Sequence, residues 1–96
     1  MPSARGLQAL KQARPDKAAN LEQLLAFLHD RPGATVQIRC SQLETAVRFN
    51  GLEEENGQVQ PRYGLYLYTL REWLDISEAT FRTYLGQYGP YTWEEA

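Results

Sequence analysis

The chain has 96 residues, 43% of them hydrophobic, which suits one compact domain and leaves too little length for a second core. One cysteine, Cys40, and one histidine, His29, exclude an intrachain disulfide, a Cys/His zinc cage and a histidine-centred catalytic triad. The net charge of -2 is unevenly spread, from a basic start (Arg5, Lys11, Arg14, Lys17 against Asp16) to an acidic second half, so a generic electrostatic grip on nucleic acid has to use the N-terminal arm.

No apolar run approaches the roughly 18 residues that cross a bilayer, and the start "MPSARGLQALKQARPDK" lacks the apolar centre of a signal peptide. These features predict a cytoplasmic protein with no membrane partner. Residues 1–15 read as a basic arm or short helix, with Leu7 and Leu10 as its apolar pair and Pro15 as its end, and residues 16–96 as a single domain. From Asp16, the spacing of Leu21, Leu24, Leu25 and Leu28 predicts an amphipathic helix that Pro32-Gly33 stops, with His29 in its last turn as a structural cation.

"ATVQIRC" alternates, which predicts a strand with Val36, Ile38 and Cys40 inward. "SQLE" has the form of a capping box, Ser41 with Glu44, and predicts a helix over Leu43, Ala46 and Val47 that Asn50-Gly51 closes. Asn56-Gly57 predicts a tight hairpin, after an acidic run, Glu53 to Glu55, that reads as a solvated turn rather than a metal site. The following strand carries Tyr66 and Tyr68 on one face, and Pro61 confines its early part to an edge or bulge.

"TLRE" is a second capping box, Thr69 with Glu72, which predicts a helix placing Leu70, Trp73 and Leu74 on one side. A hinge, Asp75-Ile76-Ser77, leads to another helix capped by Ser77 and carrying Thr80, Phe81, Tyr84 and Leu85, ended by Gly86, Gly89 and Pro90. The tail "YTWEEA" reads as a last turn with Trp93 folded over the core. The order of elements predicts an α+β fold: a small winged-helix-like, helix-turn-helix domain with a short β-hairpin.

The stretch "TLREWLDISEATFRTYL", Thr69 to Leu85, resembles the helix-turn-helix of bacterial transcription regulators of the MerR or LacI type, at the level of the motif only. That resemblance implies a sequence-specific DNA-binding regulator, bacterial or phage, acting on double-stranded DNA, with a homodimer as the expected form. Ser77, Glu78, Arg82, Thr83 and Gln87 would then face the duplex, while Lys11, Arg14 and Lys17 add phosphate contacts.

The competing reading is a small inhibitor or adaptor that binds another protein. Every aromatic except Phe27 and Phe49 falls at or after Tyr63, and a tyrosine-rich, acidic half suits a protein interface, with Tyr66, Tyr68, Tyr88 and Trp93 as its residues. No pairing of nucleophile and base, phosphate loop or spaced ligand set is present, so catalytic residues, metal ligands and cofactors are not expected.

Overall fold

A computed structural model describes residues 17–96; the N-terminal arm with Lys11 and Arg14 lies outside the described residues. Helix α1 (Lys17–His29) is followed by strands β1 (Val36–Arg39), β2 (Glu44–Glu55), β3 (Gln58–Leu67) and β4 (Glu72–Ser77), helix α2 (Glu78–Gly86) and strand β5 (Thr92–Glu95). The strands form one antiparallel sheet in the order β4-β3-β2-β1-β5. The expected winged-helix-like, helix-turn-helix fold is therefore replaced, among the described residues, by a five-stranded sheet with two helices.

Two segments account for that correction. The first is the expected helix after Ser41, which is strand β2. Thr45, Val47 and Phe49 are β-branched or aromatic and alternate into the core, so a period of two outweighs the four-residue capping match. The second is the expected first helix of the helix-turn-helix. Thr69 to Arg71 are turn residues, with Arg71 at φ 53°, and Glu72 to Ser77 pair with β3. Leu74 lies opposite Leu65, and Ile76 opposite Tyr63, on one side of the sheet; Trp73 and Asp75 point to the other.

Helices α1 and α2 and the β2–β3 hairpin follow their sequence signals. Leu21, Leu24, Leu25 and Leu28 form the buried stripe of α1, and Ser77 caps α2 by accepting from the Thr80 amide at 3.2 Å. Asn56 (φ 53°) and Gly57 (φ 77°) make the β2–β3 hairpin, whose paired positive φ values explain the Asn-Gly requirement. Pro61 lies just before β3 gains β4 as a neighbour, where a missing N–H costs no ladder bond to that strand. Asn50-Gly51 is a bulge rather than a helix end: the β2–β3 register shifts between Phe49 and Gly51, and Gly51 has φ 98°. Glu53 to Glu55 extend β2 instead of turning, and the tail "TWEE" is β5.

Both helices lie on one side of the sheet. The core between them contains Leu24, Leu28, Val36, Ile38, Val47, Phe49, Tyr63, Leu65, Phe81 and Leu85, with Tyr91 closing one end. Asn20, itself buried, donates to the Tyr91 carbonyl at 2.9 Å and accepts from the Tyr91 amide at 2.7 Å, tying α1 to the segment that enters β5. Cys40 sits past the end of β1, half-buried against the core, with its thiol toward Gln42.

Tyr63 links the layers through its hydroxyl, which lies 3.0 Å from Glu78 Oε1 and 2.6 Å from His29 Nε2. An ionised carboxylate only accepts, so Tyr63 donates to Glu78, and His29 donates from Nε2 to the phenol oxygen. Burial, reinforced by the Glu78 hydrogen bond and charge, raises the Tyr63 pKa. Burial also raises that of Tyr91, whose hydroxyl donates to the Leu85 carbonyl at 2.7 Å. Unfolded tyrosines lose their proton near pH 10, whereas these two keep theirs, so stability falls as pH rises through and beyond that value. Thermal melts across the alkaline range should show a steep loss above about pH 10, made shallower by Tyr63→Phe or Tyr91→Phe.

Candidate functional site: the uncovered face of the sheet

Directly opposed residues in an antiparallel ladder share a face, so the register defines what lies opposite the helices. Tyr66 and Trp73 are paired across β3 and β4, Arg48 and Gly64 across β2 and β3, and Gln37 and Ala46 across β1 and β2. Gln37 is also paired with Glu94, which brings β5 into the same surface. Among the described residues no helix covers this face.

Three rings dominate it. Tyr66 meets Tyr68 edge-on, with centroids 4.8 Å apart and planes at 80°, and Trp73 at 5.4 Å and 63°. Such tilted contacts suit the aromatic quadrupole better than a face-to-face stack. Tyr68 is 52% exposed, so its ring is available to a partner. Its hydroxyl lies 3.4 Å from Gln37 Oε1, so the ring crosses β2 to reach β1. Ala46, small and buried on the same face, leaves room for that crossing.

Arg48 holds the other end. Its guanidinium carbon lies 4.1 Å from the centre of the Trp73 ring. Arg48 Nε donates to Asn50 Oδ1 at 3.0 Å, Asn50 Nδ2 donates to Asp75 Oδ1 at 2.8 Å, and Arg62 Nε donates to Asp75 Oδ2 at 3.3 Å. The bulge supplies Asn50 to this chain of contacts, because the extra residue on β2 has no ladder partner. Gly64 supplies the space: a Cβ there would lie 2.8 Å from Arg48 Cγ and 3.1 Å from Trp73 Cε3. Gly64→Val should therefore lift Arg48 off Trp73 while retaining the strand, since β-branched residues suit a sheet. The expected result is an altered near-ultraviolet dichroism band from tryptophan with an unchanged far-ultraviolet spectrum. An unchanged tryptophan band would show that Arg48 does not depend on Gly64.

Of the arginines on this face, Arg48 stacks on Trp73 and the other two are paired with carboxylates. Arg39 pairs with Glu44 at 3.2 Å, and Arg62 with Asp75 at 3.3 Å and Glu53 at 3.5 Å. Glu94 on β5 forms no ion pair among the described residues. It borders a cavity of about 250 Å³ lined by Gln37, Arg39, Glu44 and Thr92 beside it.

Among the described residues, those expected to face DNA are divided between the end of β4, the α1–α2 contact and the outer side of α2. Ser77 ends β4 and caps α2, and Glu78 accepts from Tyr63. Arg82 turns toward α1, where it pairs with Glu22, and lies 3.6 Å from Glu78; these contacts lower the Glu22 pKa and raise that of Arg82. Thr83 and Gln87 lie with Thr80 and Tyr84 along a shallow depression on α2, and Lys17 begins α1. Of the expected protein-binding residues, Tyr66 and Tyr68 come together, but Tyr88 packs against Tyr84 and Trp93 against Phe27, both on the helix side. Trp73, Arg48 and Asn50 join the site without having been expected there.

No Cys, His, Asp and Glu cluster with metal-binding geometry occurs among the described residues, and no described helix is long and apolar enough to cross a membrane. Comparison with protein-family models, curated proteins and solved structures gives no match to this chain.

Proposed function

We propose that this protein is a small cytoplasmic protein-binding module that receives a partner on the uncovered face of its sheet. The observation that carries this reading is the cluster of Tyr66, Tyr68 and Trp73, braced by Arg48, on a face that no helix among the described residues covers. Tyrosine, tryptophan and arginine are the residues that most often anchor protein interfaces, because each adds large contact area together with a hydrogen-bonding end. Stacking on single-stranded bases uses similar rings but also needs a cationic track for the phosphates. Here Arg39 and Arg62 are already paired with carboxylates. The duplex-DNA reading rested on a helix-turn-helix that the β4–α2 geometry replaces, and Arg82 is engaged by Glu22 and Glu78.

A photoreactive phenylalanine analogue placed at position 68, with position 83 on α2 as control, tests this reading. A protein crosslinked from position 68 alone is the expected product. Once purified, that partner should bind Tyr66→Ser/Tyr68→Ser at least about tenfold more weakly than the natural chain. Equal crosslinking from both positions, or unchanged affinity for the double variant, would overturn the proposal, as would salt-sensitive, sequence-selective binding to duplex DNA with no crosslinked protein.

A further inference from the structure

We infer that the occupant of this face is a proline-rich segment in the polyproline II conformation, with one basic side chain set beside Glu94. The inference rests on the protein-binding reading and names the chemistry of its ligand. Three features of the face favour it.

The first is the direction of the aromatic stripe. It runs from Trp73 on β4, through Tyr66 on β3 and Tyr68, to Gln37 on β1, and so crosses the strands. Three inter-strand spacings amount to about 14 Å. At about 3.1 Å per residue, a polyproline II segment covers that distance with roughly five residues. A ligand added as a further strand would instead run along the free edge of β4 or β5, parallel to the strands and away from Tyr68.

The second is hydrogen-bonding polarity. The side chains along the stripe offer donors: the Tyr66 hydroxyl, the Trp73 indole N–H, the Gln37 amide and the Arg48 guanidinium, while the Tyr68 hydroxyl donates to Gln37. Gln37 directs its oxygen at Tyr68, which leaves its NH₂ for another acceptor. Proline has no backbone N–H, and a polyproline II chain has no internal hydrogen bonds, so its carbonyls are free to accept. Flat pyrrolidine rings pack against aromatic rings of the kind that Tyr66, Tyr68 and Trp73 present here.

The third is charge at the Gln37 end. Glu94 and Glu44 flank the cavity there with Arg39 as its one cation, and Arg39 is paired with Glu44. Glu94 is left to meet a positive charge. An arginine or lysine next to the prolines supplies it, whereas a phosphate backbone would be repelled.

The test titrates the full chain with fluorescein-labelled peptides of about ten residues: polyproline with arginine at one end, in both orientations, polyproline with glutamate instead, and a Gly/Ser peptide with arginine. The expected result is saturable binding of an arginine-polyproline peptide, better in one orientation, with movement of the Trp73 indole resonance and not that of Trp93. Glu94→Lys should weaken that peptide on the order of tenfold and strengthen the glutamate peptide. Binding of the Gly/Ser peptide as tightly as polyproline, or indifference to Glu94→Lys, would overturn the inference. If no polyproline peptide binds while the crosslinked partner still requires Tyr66 and Tyr68, the polyproline assignment fails and the protein-binding reading stands. If the partner is also indifferent to those tyrosines, both fail.

Discussion

Phe81→Ala is expected to lower the free energy of unfolding by about 3–5 kcal/mol, the usual result of removing a fully buried ring. Phe81 is 0% exposed and stacks on Tyr63 with centroids 4.4 Å apart and planes at 11°. Tyr63 leans on Phe49 at 5.4 Å, and Phe49 stacks on His29 at 4.2 Å. The four rings therefore run from α2 through β3 and β2 to α1, and Phe81 closes the column at the α2 end. Its loss opens a cavity beside Tyr63, whose hydroxyl joins Glu78 on α2 to His29 on α1. Small domains have roughly 5–15 kcal/mol in all, so urea unfolding of the variant should show a midpoint close to failure at 25 °C. Thr83→Ala, on the exposed side of the same helix, should change stability by less than about 0.5 kcal/mol. A loss below about 1 kcal/mol for Phe81→Ala would mean that the stack does not organise the core.

The parts of the fold that the sequence made legible are those with one strong period or one decisive backbone requirement. Four leucines on one stripe admit only a helix at α1, and Asn56-Gly57 matches a hairpin needing two positive φ values. Ser77 caps α2 whatever precedes it, so the second half of the supposed helix-turn-helix was real while the first half was not. The misread segments are short and fit both periods. Leu43, Ala46 and Val47 make a helical stripe, but Thr45, Val47 and Phe49 make an equally good alternating row, and the second is the row that faces the core between sheet and helices. Long-range pairing decided between them, since β2 finds β1 and β3 on either side. The same ambiguity hid the site. A helix places Trp73 and Leu74 on one side, whereas β4 sends Leu74 toward the core and Trp73 to the opposite face. Tyr66 and Tyr68 were legible as a pair, but nothing local shows that both described helices fold onto the other side of the sheet from these rings. Arg48 and Asn50 depend on the bulge and on Gly64, which are visible only once β2 and β3 are in register.

The two tryptophans separate the functions of the two faces, so Trp73→Ala and Trp93→Ala should have opposite consequences. Trp73 pairs with Tyr66 and carries Arg48 on a half-exposed surface of an edge strand. Its removal forfeits one cross-strand aromatic pair and about 1 kcal/mol or less of stability. For a partner seated on that face, however, it removes the largest ring and frees the guanidinium that the ring had oriented. Anchors of this kind commonly contribute 2 kcal/mol or more, so partner binding should fall about 30-fold in an isothermal titration with the crosslinked protein. Trp93 lies opposite Ile38 on the helix side and meets Phe27 of α1 at 6.1 Å. Trp93→Ala should therefore reduce the melting temperature more than Trp73→Ala, yet leave affinity unchanged while the chain is folded. If Trp93→Ala abolished binding and Trp73→Ala did not, the partner would have to sit at the α1–β5 edge rather than on the bare sheet. That edge would then become the interface, and the aromatic stripe would have only a structural part.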